Sequence, residues 1–134
     1  MKFILDNNIL FSIMKPDSTN AFLFERVNAV FFAPFFIKEE FNKYEKECLI
    51  KSGLSKNEFN ERKKIIFSKI NFIELNFFKD SIKTAEKFCP DENDVFYFAL
   101  ALKLDAPIWS NDSALNGQDK IKVFSTEEII ELIF

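Results

Sequence analysis

Five short apolar runs, separated by stretches of helical rhythm, leave this chain little choice of fold. Lys2 to Asp6, Ala29 to Ala33, Asn71 to Leu75, Pro107 to Ser110 and Ile121 to Phe124 are four or five residues long. They are rich in Phe, Ile and Val and read as buried strands. Between them the apolar residues recur at helical spacing. Asp17 to Asn20 offers N-cap residues for a helix through Val27, and Pro34 stops the strand that follows. Phe36, Ile37, Phe41, Tyr44 and Cys48 predict one helix from Phe35 to about Lys51, ended by Gly53. Ser55 with Glu58 is a capping box that opens a helix to about Ser68, the second arm of a helical hairpin. Further helices are predicted over Asp80 to Phe88 and Glu92 to Leu104. Ser125 with Glu128 caps a last one, from Glu127 to about Ile133. Parallel strands need crossovers, and helices supply them. The expectation is one domain over residues 1–134, a three-layer α/β/α sandwich. Its central parallel sheet has about five strands.

Composition removes several kinds of chemistry. The chain has no histidine, which excludes Ser-His-Asp, Cys-His and His-ligated zinc hydrolases in their usual forms. Its two cysteines, Cys48 and Cys89, lack metal-ligand spacing and read as free thiols. The opening Met1 to Leu5 meets an acid at Asp6, and no apolar run approaches the ~20 residues that span a bilayer. A cytoplasmic protein without membrane association is expected. A net charge of −3 does not advertise a nucleic-acid binder, yet Lys43 to Lys69 carries eight basic residues against four acidic ones. Nineteen phenylalanines imply a bulky core with apolar surface left for a partner.

Against that frame four acids stand out: Asp6, Glu40 or its neighbour Glu39, Asp94 and Asp112. Each falls where a strand hands over to a helix, or just inside that helix. Ligand sites of open parallel sheets lie beyond the carboxyl ends of the strands, near the point where strand order reverses. Asp6 follows the first strand and Asp112 the fourth, the two that flank that point if the strand order is 3-2-1-4-5. Each acid also has a local account as a strand terminator, helix cap or solvated side chain; Asp91 after Pro90 reads as an N-cap. Caps do not explain why the acids meet. Gathered carboxylates repel one another unless a hard divalent cation such as Mg²⁺ or Mn²⁺ lies among them.

The order and spacing of these blocks resemble the PIN-domain nucleases, especially ribonuclease toxins of the VapC type, over nearly the whole chain. Phe3-Ile4-Leu5-Asp6-Asn7-Asn8-Ile9-Leu10 is similar to the family's Asp-x-Asn opening. Ala33-Pro34 followed by Glu39-Glu40-Phe41 matches its second block and favours Glu40 over Glu39. Asp91-Glu92-Asn93-Asp94-Val95, running into Ala99 to Leu104, is similar to its Asp-x-x-Asp helix. Ile108-Trp109-Ser110-Asn111-Asp112 is similar to its last block, with Asn111 where glycine is frequent and Ser110 where threonine is usual. The resemblance implies that Asp6, Glu40, Asp94 and Asp112 hold Mg²⁺ or Mn²⁺. Asn8, Asp91 and Ser110 would support them by hydrogen bonding. It implies the strand order 3-2-1-4-5, hydrolysis of RNA to 5′-phosphate and 3′-hydroxyl ends, a small antitoxin as partner, and a homodimer. Two other readings stay open: an RNA-processing nuclease without antitoxin, and a non-catalytic module that binds RNA or protein. Receiver domains and haloacid-type phosphatases need acid patterns that Asp6-Asn7-Asn8 does not supply.

Overall fold

The computed structural model describes residues 1–134. Its sheet has five parallel strands: β1 (Lys2–Leu5), β2 (Val30–Pro34), β3 (Ile70–Ile73), β4 (Ile108–Trp109) and β5 (Val123–Phe124). They lie in the order β3-β2-β1-β4-β5, as the family resemblance implies. Ile4 pairs with both Phe32 and Ile108, and Leu5 pairs with Trp109, so β1 is central with β4 at its side. Phe3, Ile4, Leu5, Ile108 and Trp109 are buried, as strands covered on both faces must be.

Nine helices cross between and flank the strands. They are α1 (Asn7–Ile13), α2 (Thr19–Arg26), α3 (Ile37–Lys43), α4 (Glu45–Ser52), α5 (Lys56–Ser68), α6 (Leu75–Phe78), α7 (Ile82–Glu86), α8 (Val95–Leu104) and α9 (Thr126–Ile133). Helix α8 packs against β1, β2 and β4, and its Phe98 to Ala101 are fully buried. Near-continuous apolarity from Val95 to Leu102 is the signature of such a helix. Both capping boxes form: Ser55 with Glu58 opens α5, and Ser125 with Glu128 opens α9. No helix is long and apolar enough to cross a membrane.

Several local features differ from the sequence reading. Helices α1 and α6 are not among those expected from the sequence, and Leu75, read as the end of the third strand, opens α6. The single helix expected over 35–51 breaks at Tyr44, whose φ of −112° and ψ of 14° are not helical. The break lets α3 bury Phe41 while Cys48 of α4 still reaches the Phe11 carbonyl of α1. Pro34 is the last residue of β2, paired with Ile73, and does not stand outside the strand. Its missing N–H costs nothing at a strand end. The expected start of the long helix at Glu92 is instead a 3₁₀ turn, Glu92–Asp94, with α8 beginning at Val95.

Candidate active site

Beyond the carboxyl ends of β1 and β4 lies a cavity of about 390 Å³ lined by Asp6, Glu40, Asp94 and Asp112. Four different elements bring these acids together. Asp6 follows β1 and caps α1, its Oδ1 accepting from the Ile9 N–H at 2.9 Å. Glu40 lies in α3, where Lys43 Nζ donates to its Oε1 at 3.0 Å. Asp94 occupies the N-cap position of α8 without using its side chain as a cap. Asp112 follows β4 and accepts from the Ala114 N–H at 3.0 Å. Glu39, one residue from Glu40, is exposed and does not line the cavity.

Ser110 ties two of the acids together. Its hydroxyl donates to Asp6 Oδ2 and accepts from the Asp112 N–H at 3.1 Å, and it is itself buried. Asn8 is exposed on the cavity wall. Asp91 takes no place in the lining; its carboxylate caps the 3₁₀ turn, accepting from the Asn93 N–H at 2.9 Å.

The electrostatics follow from burial and crowding. Burial pushes the Asp6 carboxyl above the usual carboxylate range, and the Asp112 charge adds to the rise. The Ser110 hydroxyl and the Ile9 N–H oppose it. Asp94 is raised to about 6, first by burial and then by the charges of Asp91, Asp112 and Asp6. A site that raises its own acids in this way is short of positive charge, and no Lys or Arg lines the cavity.

Two further residues were not singled out from sequence. Asn7 and Tyr97 line the same cavity, and the Asn7 Oδ1 and the Tyr97 hydroxyl are buried without a hydrogen-bond partner. Buried polar atoms are rarely left so, because each lost partner costs about 1–3 kcal/mol. Tyr97 stands one helical turn after Asp94, and the i, i+3 neighbour rule points to it.

Hard carboxylate and amide oxygens are the donors that Mg²⁺ and Mn²⁺ take. No three acidic, cysteine or histidine residues converge closely enough to cage an ion outright. An ion held here would keep part of its water shell, as Mg²⁺ usually does. The orphaned Asn7 oxygen matches such a hydrated ion, since it lacks a donor.

A family model described as PIN domain matches residues 4–131. No curated protein matches the chain. Among solved structures it is similar to a chain of the VapBC2 complex from Rickettsia felis, which was solved bound to a DNA fragment from its promoter. The two are 14% identical, with 93% of this chain and 98% of that chain covered and a TM-score of 0.61. At that identity the likeness is one of fold.

Proposed function

Because the chain belongs to the PIN domain family, we propose that it is a divalent-cation-dependent endoribonuclease and the toxin of a toxin–antitoxin pair. The observation that carries this reading is the cavity of about 390 Å³ around which four separate elements set Asp6, Glu40, Asp94 and Asp112. Residues 1–134 are taken as one nuclease domain, working in the cytoplasm as a homodimer until a small antitoxin neutralises it. The VapBC2 complex, solved bound to a DNA fragment from its promoter, supports the antitoxin part of the reading by analogy of fold.

The four carboxylates would hold Mg²⁺ or Mn²⁺. When bound, the cation supplies Lewis acidity that eases deprotonation of water and offsets charge growing on the phosphate oxygens. The rest falls to the chain. Ser110 favours the ionised form of Asp6 and orients it by donating to it, against the effect of burial, and fixes the backbone of Asp112 at the same time. The buried Tyr97 hydroxyl remains protonated across the physiological range, since burial and the nearby acids push its pKa up, so it acts as a hydrogen-bond donor. Asn7 and Asn8 present amides at the wall, where they orient water or a phosphate oxygen. Cleavage would leave 5′-phosphate and 3′-hydroxyl ends.

The open spacing of the carboxylates favours a second reading, a module that binds RNA or protein without cutting. Purified protein incubated with end-labelled RNA and Mn²⁺, Mg²⁺ or EDTA, beside Asp94→Asn, separates the two. Metal-dependent cleavage that leaves 5′-phosphates and disappears in the variant is the expected result. Intact RNA with a folded, cation-saturated protein across varied sequences would favour the binding module.

A further inference from the structure

A second cavity, of about 600 Å³, adjoins the first and shares Asn7 and Asn8 with it. It opens between α1 and α4, with Phe11, Lys15, Tyr44 and Lys51 in its wall. We propose that this groove is a nucleotide subsite, holding one unpaired base and its flanking phosphates next to the phosphate being cut. The proposal rests on the nuclease reading of the acid cavity and assigns it a substrate-binding flank.

The acid cavity has four carboxylates and no Lys or Arg in its lining, so until a cation is bound a polyanion meets like charge there. The groove beside it supplies positive charge: Lys15 and Lys51 lie in its wall together with one acid, Glu47. Their carboxylate partners are loose, Asp17 at 3.9 Å and Glu47 at 3.8 Å on exposed surface, so both ammonium groups can turn to phosphate oxygens. An unpaired base also needs a ring to stack on. Phe11 is fixed below, stacked on Phe41 with centroids 5.4 Å apart, and it holds Tyr44 edge-on at 6.1 Å and 84°. Tyr44 is 49% exposed, an aromatic surface kept in place by its neighbour. The break at Tyr44 between α3 and α4 is what positions that ring at the groove. Two lysines flanking an exposed ring fit a phosphate-bearing chain better than an apolar helix of a protein partner.

The test measures binding apart from cutting. Fluorescently labelled single-stranded RNA is titrated into Asp94→Asn protein with Mg²⁺, alone and combined with Tyr44→Ala, Tyr44→Phe or Lys15→Ala/Lys51→Ala. Tyr44→Ala is expected to weaken binding about tenfold, the size of one lost stacking contact, while Tyr44→Phe binds normally. Removing both lysines is expected to flatten the slope of log Kd against log salt by about 1.4, for two phosphate contacts. In the otherwise wild-type enzyme, Tyr44→Ala should raise KM and leave kcat unchanged. One abasic position beside the cut should reproduce the Tyr44→Ala loss and add nothing to it. Unchanged RNA binding in Tyr44→Ala, with metal-dependent cleavage intact, overturns the subsite and leaves the nuclease reading standing. Tyr44-dependent binding without cleavage under any metal does the reverse. Loss of a protein partner in Tyr44→Ala with RNA binding unaltered assigns the groove to that partner and overturns the proposal.

Discussion

Asp94 is the side chain whose environment says most about the site. Its folded-state pKa of about 6 lies above the ordinary 3.8, so the fold disfavours its ionised form. Its contribution to stability is thus complete below pH 3.8 and is lost as pH rises through about 6. Metal-free protein should lose melting temperature across that window, and Asp94→Asn should flatten that part of the profile while abolishing cleavage. Scanning calorimetry in EDTA at several pH values checks it, and a variant profile as steep as the wild type's would contradict the assignment. Ser110 offers a second point of attack. Ser110→Ala strips Asp6 of a buried donor, a change worth about 1–3 kcal/mol, and should raise the Mn²⁺ concentration needed for half-maximal cleavage. Ser110→Thr keeps the hydroxyl and should retain activity; equal losses in both would assign the effect to packing.

The element that holds the Asp112 loop is α9. Thr126 in its first turn accepts from Trp109 Nε1 at 3.2 Å and Asn111 Nδ2 at 2.8 Å, and donates to Asn20 Oδ1 at 2.6 Å. Asn20 Nδ2 in turn donates to Ser12 Oγ of α1 at 2.6 Å. This network joins the end of β4 to α1 and α2, and so to both helices that follow β1. Thr126→Val preserves shape but leaves Asn20 Oδ1 and Trp109 Nε1 without a partner. It should cost about 1–3 kcal/mol and weaken cation binding. Ser125→Ala, which removes the capping box of the same helix, should cost about 1 kcal/mol and leave cation binding unchanged. Urea denaturation with Mn²⁺ titration of each variant distinguishes network from cap. Asn111 stands where PIN-type sequences frequently have glycine, and its amide is used on both sides, accepting also from the Thr126 N–H at 2.7 Å.

Over the whole molecule, a folded-state site for a cation must show as linked stability. At a hundredfold excess over its dissociation constant, Mn²⁺ should stabilise the protein by about 2.7 kcal/mol, or about 10 °C for a chain of this size. EDTA should reverse the shift, and Asp94→Asn should lack it. A melting temperature indifferent to Mn²⁺ and Mg²⁺ would remove the cation from the proposed function. The aromatic core sets the baseline for that measurement. Phe3 lies edge-on to Trp109 and Phe124, Phe24 stacks on Phe31 at 4.6 Å, and Phe31 meets Trp109 at 6.2 Å, which binds four strands and α2 into one body.

Strand alternation and the capping boxes were legible in the residues, because burial on two faces forces continuous apolar runs and capping needs particular side chains at fixed offsets; the order of the sheet came with the family resemblance. Asp6 and Asp112 after their strands, Glu40 inside its helix and Asp94 at the head of α8 were legible from the same patterns. Long-range packing settled the rest. Nothing in the pattern from Phe35 to Lys51 announces the turn at Tyr44, since Phe41 and Cys48 keep a helical rhythm on either side; α1 is the surface that both must meet. Nor does the chain order reveal that Ser110 bridges Asp6 and Asp112, that Thr126 anchors Asn111, or that Tyr97 and Asn7 leave polar atoms unpartnered. Periodicity reports which face of an element is buried, a property of neighbours in sequence. Which side chains meet across that face depends on how the elements dock, and residues as far apart as Asp6 and Asp112 become neighbours only there.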